Sequence, residues 1–310
     1  MARKVQVLLS AYNGERYIQQ QIESVMEQSW REVSLFIRDD GSSDGTLKVI
    51  QRLAEQYQGR ITWVQGGNLG VIGSFLELLK MSDETADYYC FCDQDDVWLP
   101  HKVESAVERL ESDADQHRPL MHFTSTTLTD DRLHEQGNWP NPPAKKLSFY
   151  NALVQNVAVG ATMTLNRTAR HFFVNHDQPD VRHIIMHDWW FYMMVSAFGN
   201  VYYDLKPSML YRQHGNNVVG GTNSLFRITL NKWSSFKKHA GKKILYHQAL
   251  EFYRVYGHNL DADKKKQITW FLQSRGNWMD RVKYLKVSKL YRQSRGENLL
   301  FKILILIDYI

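Results

Sequence analysis

The chain has 310 residues, of which 43% are hydrophobic and 23% are charged, so it can bury a full core and a disordered protein is excluded. The net charge of +5 hides two regions of opposite sign: residues 1–220 contain 20 Lys and Arg against 27 Asp and Glu, whereas residues 221–310 contain 18 against 6. The acidic balance of the first region argues against nucleic-acid binding, and the two regions are expected to have different tasks.

The first half of the sequence alternates between short apolar segments and segments with apolar residues at helical spacing. We expect strands at residues 4–10, 33–38, 61–64 and 87–92, and helices at residues 15–28, 46–57 and 69–80 and after Pro100. Repeated βαβ units of this kind predict an α/β fold with a mainly parallel sheet that is covered by helices on both faces.

Beyond Leu120 the pattern is less regular. Prolines predict a loop at residues 138–145, and we expect a strand at 157–165, a helix at 187–198 and short strands at 200–203 and 208–211. From residue 221 the sequence is basic and predicts helices. We therefore place a boundary near Gly220, between an α/β domain of residues 1–220 and a basic helical region of residues 221–310.

The two cysteines, Cys90 and Cys92, lie two residues apart in one predicted strand, where their side chains point the same way but are poorly placed to bridge. We expect them to be reduced packing residues. The N-terminus has no signal-peptide pattern, which predicts that the protein stays in the cytoplasm.

A first polar cluster, residues 38–46, follows the second predicted strand. In doubly wound sheets, ligands bind at the carboxyl ends of the strands. Asp40 is therefore a candidate acceptor for hydrogen bonds from a nucleotide base, and the glycines of the cluster let the backbone approach a ligand. Asp44 is a candidate cap of the following helix.

A second acidic cluster, Asp93, Asp95 and Asp96, directly follows the fourth predicted strand. Three carboxylates within four residues repel one another unless a cation is present. A divalent Mg²⁺ or Mn²⁺ ion, held by one or two of them together with substrate phosphates, satisfies this arrangement. A solvated turn is the alternative, but such a turn rarely follows so apolar a strand.

Three motifs, at residues 7–13, 39–46 and 93–96, occur in the order and spacing of family 2 glycosyltransferases of the GT-A fold. The chain resembles this family over residues 4–220. The resemblance implies a Rossmann-like domain that binds a nucleotide-diphospho-sugar, with the base and ribose at the end of the first strand and at Asp40, and with Asp95 and Asp96 at the ribose and the metal-bound diphosphate. The candidate donor-binding residues are Ser10, Tyr12, Asn13, Asp40, Asn68, Asp93, Asp95 and Arg212.

Asp188 opens the predicted helix at residues 187–198. An inverting transfer needs a base that deprotonates the acceptor hydroxyl as it attacks the sugar. Family members commonly have an aspartate at this place, so the resemblance implies that Asp188 is the catalytic base, with Asp180 or Asp177 as the next candidates. A helix-capping aspartate is the alternative.

A polar segment at residues 211–217 follows the last predicted strand. His214 is a candidate metal ligand, with a structural role as the alternative, and Arg212 is a candidate diphosphate clamp. Together with residues 93–98 and 187–190, this segment resembles the rhamnosyltransferase branch, which builds rhamnose-containing polysaccharides of bacterial cell walls. That resemblance implies dTDP-β-L-rhamnose as the donor, and another donor such as a UDP-hexose is the alternative.

Residues 221–310 combine lysine clusters with aromatic residues and end in an apolar segment, residues 299–310, that is too short to span a bilayer. This combination predicts peripheral docking on an anionic membrane surface, the inner face of the plasma membrane, where a lipid-linked saccharide acceptor would be found. The alternatives are helices that pack on the α/β domain or that form a homo-oligomer.

Two other classes of protein share some of these features. A nucleotidyltransferase also combines a nucleotide-binding sheet with an acidic metal site, but it needs a basic glycine-rich loop after the first strand, and residues 10–15 lack that charge. A noncatalytic nucleic-acid-binding protein would use the basic region. Processive family 2 synthases carry a Gln-x-x-Arg-Trp motif and several membrane helices, and because neither occurs here we expect a single-addition enzyme.

Overall fold

The computed structural model describes residues 3–214 and 243–309. The chain divides into two units, which we call the sheet unit and the helical unit. The sheet unit consists of Met1–Pro142, Ala158–Asn175 and Gly199–Gly221, and the helical unit of Pro143–Val157, His176–Phe198 and Thr222–Ile310. The boundary predicted near Gly220 lies outside the described residues.

The strands of the described residues all belong to the sheet unit. They are β1 (Val5–Ala11), β2 (Val33–Asp39), β3 (Ile61–Gln65), β4 (Tyr88–Cys92), β5 (Val97–Trp98), β6 (Leu120–Thr124), β7 (Thr126–Thr129), β8 (Glu135–Trp139), β9 (Thr164–Asn166), β10 (Asn200–Asp204) and β11 (Met209–Arg212).

The helices of the described residues are divided between the two units. The sheet unit contains α1 (Ile18–Met26), α2 (Thr46–Gln56), α3 (Gly70–Met81), α4 (Lys102–Glu111) and α6 (Arg167–Val174), and the helical unit contains α5 (Phe149–Ala152), α7 (His187–Phe198), α8 (Ile244–Tyr256), α9 (Ala262–Leu272), α10 (Trp278–Val287) and α11 (Arg295–Leu306).

A seven-stranded sheet with the order β10-β6-β9-β4-β1-β2-β3 forms the centre of the sheet unit. Strand β1 is parallel to both β2 and β4, β2 is parallel to β3, and β6 is parallel to β10. Only β9 runs antiparallel to its neighbours β4 and β6 in this sheet. The predicted mainly parallel α/β sheet is therefore confirmed.

Strand β1 shows why this sheet is covered on both faces. Val7 and Leu9 belong to one core cluster with residues of α1, α2 and α4. Leu8 points to the opposite face, since side chains alternate along a strand, and it is also fully buried. Helix α3 packs on β1 and against α6. A strand buried on both faces has the continuous apolar sequence observed here.

The second half of the sheet unit differs from the expectation. The strand predicted at residues 157–165 is wrong in its first part, because Gly160–Thr162 forms a short 3-10 helix and only Thr164–Asn166 is a strand. A second sheet with the order β5-β11-β7-β8 was not predicted beyond β11. Its strands are short, and β8 is polar and largely exposed, so they lack an apolar alternation that identifies a strand.

The helical unit has a core of aromatic residues. The ring of Trp190 in α7 packs against Phe252 and Tyr256 of α8, at centroid distances of 5.5 and 5.9 Å. Residues 221–242 of the predicted basic region lie outside the described part of the chain. Within the described residues, no helix is both long enough and apolar enough to cross a membrane.

Candidate active site

The carboxyl ends of β1, β2, β3 and β4 meet at one edge of the sheet, because these four strands are parallel neighbours. The register pairs Ala11 with Asp39 and Asp39 with Gln65. The loops that follow these strands therefore converge, and they carry most of the predicted site residues.

The loop after β1 is held on the loop after β2 by Asn13. Its backbone N–H donates to Ser42 Oγ at 2.9 Å, and its side-chain Oδ1 accepts from the Ser43 N–H at 2.8 Å. Asn13 has a φ of 49°, in the left-handed region that asparagine adopts more readily than most residues. Both Asn13 and the preceding Tyr12 are exposed, so they line the edge at which the loops converge.

Asp44 binds the first residue of α2, although the N-cap position itself is occupied by Gly45. Its Oδ1 accepts from the Thr46 N–H at 3.0 Å, and its Oδ2 accepts from the Glu15 N–H at 3.1 Å. Burial acts to raise the pKa of Asp44, but these hydrogen bonds outweigh it and hold the pKa below its ordinary value.

Asp40 is buried and its oxygens are engaged by the protein. Oδ1 accepts from the Leu69 N–H at 2.8 Å and pairs with Arg38, and Oδ2 accepts from the Gly70 N–H at 2.9 Å. A carboxylate offers about four accepting positions, so at least three of those of Asp40 are used within the protein. Asp40 also orders the loop of Asn68, whose exposed side chain accepts from the same Gly70 N–H at 3.1 Å.

Arg38 links the first three strand ends, and no role was assigned to it from the sequence. Its Nη2 donates to the Gly67 carbonyl at 2.8 Å, and its Nη1 donates to Ser74 Oγ at 3.2 Å. Ser74 Oγ lies 2.6 Å from Ser10 Oγ at the end of β1. A charged residue inside the apolar segment of β2 is the signal that could have identified this buried network.

Gln94 joins the acidic loop to the loop after β1. Its Oε1 accepts from the Tyr12 N–H at 2.8 Å, and its Nε2 donates to the Tyr12 carbonyl at 2.9 Å. These two hydrogen bonds fix the partly exposed Asp93 beside the end of β1. A Cβ atom added at Gly14 would collide with the far end of the Gln94 side chain, so an alanine here would force that side chain to move.

Asp95 and His214 face each other in the sheet unit. Asp95 Oδ2 lies 2.7 Å from His214 Nε2, and the two side chains are 17% and 14% exposed. Asp96 is buried at 1% exposure, and its Oδ1 accepts from the Arg212 N–H at 3.0 Å. Burial, with the negative charges of Asp95 and Asp93, raises the pKa of Asp96 well above its ordinary value.

The fit of this arrangement to a metal ion is partial. Across residues 3–214 and 243–309, no three His, Cys, Asp or Glu side chains are grouped to hold a metal. Asp95 Oδ2 and His214 Nε2 lie within hydrogen-bond distance of each other, and Asp96 Oδ2 is buried with no hydrogen-bond partner among these residues. Mg²⁺ is usually bound by one or two carboxylates with phosphates and waters, so an incomplete protein cage fits such an ion.

The Arg212 side chain is held by the protein on every side. Nε donates to the Asp95 carbonyl at 2.9 Å, Nη1 to the Asp131 carbonyl at 2.6 Å and Nη2 to Gln20 Oε1 at 2.7 Å. The guanidinium also lies 4.7 Å from the centroid of the Tyr17 ring. Arg212 therefore fixes the backbone of Asp95 and adds a positive charge beside the acidic loop.

Tyr17 is a further residue of this site that the sequence analysis missed. Its ring stacks on that of His214 at a centroid distance of 5.0 Å, and its hydroxyl donates to Asp131. Arg16 pairs with the same carboxylate. His214 thus has an aromatic contact from Tyr17, the N-cap residue of α1, which lies far away in sequence.

Asp188 lies in the helical unit, in the first turn of α7. Its Oδ1 accepts from the Trp189 N–H at 2.6 Å, and its side chain is partly exposed. The adjacent His187 is buried, which lowers its pKa to about 3 and keeps its ring neutral. Asp188 is the one acidic residue in the first turn of α7.

The family model and the curated relative that match the chain both describe glycosyl transferases. The model of Glycosyl transferase family 2 matches residues 6–172. The dTDP-rhamnosyl transferase RfbG of Shigella flexneri is 29% identical over 244 residues, which cover 73% of this chain and 80% of that protein.

Two of the solved structures that are similar to the chain show the extent of the likeness. S. aureus TarS 1-349 in complex with UDP-GlcNAc has a TM-score of 0.58 and 16% identity, covering 99% of this chain and 79% of that chain. Mannosyltransferase PcManGT from Pyrobaculum calidifontis in complex with GDP-Man and Mn²⁺ has a TM-score of 0.50 and 14% identity, covering 100% of this chain and 81% of that chain. At such identities the likeness is one of fold.

Proposed function

The chain belongs to glycosyl transferase family 2, and from this premise we propose that it is an inverting, metal-dependent rhamnosyltransferase. Its fold is the GT-A fold expected from the sequence. The proposed donor is dTDP-β-L-rhamnose, and the proposed acceptor is a lipid-linked saccharide used in bacterial surface polysaccharide synthesis. The similarity to RfbG over most of both chains supports this donor.

The observation that carries the proposal is the convergence of four loops at the carboxyl edge of the sheet. Tyr12, Asn13 and Asn68 are exposed there, Ser10 and Asp93 are partly exposed, and Asp40 orders the loops from within. We propose that these residues hold the base, the ribose and the sugar. We propose that the diphosphate binds beside Asp95, where Arg212 adds a positive charge.

The proposed chemical step uses Asp188 as the base and the acidic loop after β4 as the metal site. Asp188 accepts the proton of the acceptor hydroxyl, whose oxygen forms the new bond to C1 as the bond from C1 to the diphosphate breaks. Asp95 and His214, with the buried Asp96 behind them, would hold Mg²⁺ or Mn²⁺. When bound, the ion neutralises the charge that develops on the departing diphosphate. Asp95 itself is oriented through its backbone by Arg212.

Donor binding and slow donor hydrolysis test the choice of nucleotide and sugar. The protein with Mg²⁺ or Mn²⁺ is incubated with dTDP-L-rhamnose, dTDP-glucose, UDP-glucose, UDP-GlcNAc and GDP-mannose, and free nucleoside diphosphate and thermal stabilisation are recorded. We expect dTDP-L-rhamnose to give the largest response in both, since at equal concentration a ligand that binds more tightly stabilises the fold more. A preference for a UDP-hexose would overturn the rhamnose assignment and retain the family.

The contact between Gly14 and Gln94 gives a sharper test of the donor site. Gly14→Ala is expected to displace Gln94 and to weaken donor binding about tenfold, the scale of two lost hydrogen bonds. Gly276→Ala is the matched control, because a Cβ there meets nothing within 4 Å and the residue belongs to the helical unit. Calorimetric titration of donor into both variants measures the difference. Equal affinities would mean that Gln94 does not order the donor site.

A further inference from the structure

Helix α11 has apolar residues on two sides, and only one side is covered. Phe301 and Ile305 are buried at 2% and 0% exposure. The opposite side carries apolar residues that start at Leu299 and recur at i+1, i+4, i+7 and i+8. This spacing places them in one stripe along a helix. We call this stripe the apolar face of α11; it consists of Leu299, Leu300, Ile303, Leu306 and Ile307. Leu299 and Ile307 are 61% and 60% exposed.

Helix α10 also exposes apolar residues. Its first two residues, Trp278 and Met279, are 68% and 53% exposed, and the helix packs against α11 within the helical unit. Arg281 joins the two helices, because its Nη1 donates to the Leu306 carbonyl at 2.9 Å. An exposed tryptophan beside a row of exposed leucines and isoleucines is typical of a surface that meets an apolar phase.

The charges around this surface are mostly positive. Residues 275–309 contain eight Lys and Arg against three acidic residues, Asp280, Glu297 and Asp308. The Lys283 side chain is 78% exposed, and Lys286 and Lys302 are also exposed. Exposed basic residues beside an exposed apolar stripe match an anionic lipid surface, which offers negative headgroups above an apolar layer.

We propose that the apolar face of α11, with Trp278 and Met279, docks on the surface of an anionic membrane. The helix lies in the plane of the interface, since its 12 residues extend only about 18 Å, against a hydrocarbon core of about 30 Å. A second copy of the chain fits the surface less well. Two identical faces brought together by two-fold symmetry would oppose their lysines and arginines, which is unfavourable.

Vesicle flotation with the full chain tests the proposal. Neutral phosphatidylcholine vesicles are compared with vesicles that contain phosphatidylglycerol, without donor or acceptor. We expect binding to the anionic vesicles, weakened by high salt. The variant Leu299→Ser/Ile303→Ser/Ile307→Ser should bind about 1000-fold more weakly, because each of the three large apolar side chains removed from water contributes roughly tenfold. Lys283→Ala/Lys286→Ala should lose about fivefold per lysine.

Leu205→Ser is the matched control, since Leu205 is equally exposed at 61% but belongs to the sheet unit, and it should bind vesicles as the parent does. Equal vesicle binding by the triple variant and the parent would overturn the proposal. A parent that binds no vesicles, and that changes from dimer to monomer on the triple substitution, would assign the surface to a second copy. Donor hydrolysis by each variant without vesicles is measured separately, so failure of membrane docking and failure of the proposed activity are distinguishable.

Discussion

Replacing Asp188 by Asn is expected to lower sugar transfer by about 10²-fold or more, the scale of general-base effects. Asparagine has nearly the same shape as aspartate, and its Oδ1 can accept the Trp189 N–H that Asp188 accepts in the structure. The start of α7 should therefore keep its fold. An amide oxygen does not take a proton from the acceptor hydroxyl at neutral pH, so the chemical step is lost while donor binding stays.

Steady-state transfer and donor titration separate these effects. The variant should show a lowered kcat with an unchanged donor affinity. Asp177→Asn is the matched control, since that carboxylate is 79% exposed in the same unit. Asp180 is a poorer base, because hydrogen bonds from Arg182 hold the pKa of its carboxyl well below its usual range. Near-normal turnover of Asp188→Asn would show that Asp188 is not the base. A loss of turnover in Asp177→Asn or in Asp180→Asn would then assign the base to that residue.

The elements predicted best are those with strong periodicity. Strands β1 to β4 and helices α1 to α4 lie within a few residues of their predicted bounds, because apolar runs and helical spacing report directly which side chains face the core. The second sheet was not predicted beyond β11, because its other strands lack such periodicity. Strand β7 has the sequence Thr-Thr-Leu-Thr, and its four residues are buried by pairing with β11 and β8, which no local pattern reports.

The candidate site also has a part that the sequence predicts and a part that only the folded chain brings together. That the loops after β1, β2, β3 and β4 converge could be predicted, because parallel neighbouring strands end at one edge. The supporting contacts could not. Gln94 reaches Tyr12 across 82 residues, and Arg212 reaches Gln20 across 192 residues. Such pairs depend on the finished fold, so their sequence positions alone carry no signal.

Sugar transfer is expected to stop in excess chelator and to return when Mg²⁺ or Mn²⁺ is added. The donor diphosphate is an anion, and Asp93, Asp95 and Asp96 add further negative charge at the same strand end. Without a cation these groups repel each other, so donor binding should weaken along with turnover. Full turnover in excess EDTA would show that the metal-dependent mechanism is wrong.

Substitutions of Asp95 and His214 test whether these two residues bind the metal. Asp95→Asn is more informative than Asp96→Asn, because Asp95 is partly exposed whereas Asp96 is buried against the Arg212 backbone and its substitution would also perturb the fold. We expect Asp95→Asn and His214→Ala each to raise the Mn²⁺ concentration needed for half-maximal transfer by tenfold or more, roughly the cost of one lost ligand contact. His134→Ala is the control, since that histidine is 73% exposed and likewise pairs with an aspartate, Asp130. An unchanged Mn²⁺ requirement in His214→Ala would assign His214 a structural role through its stacking on Tyr17.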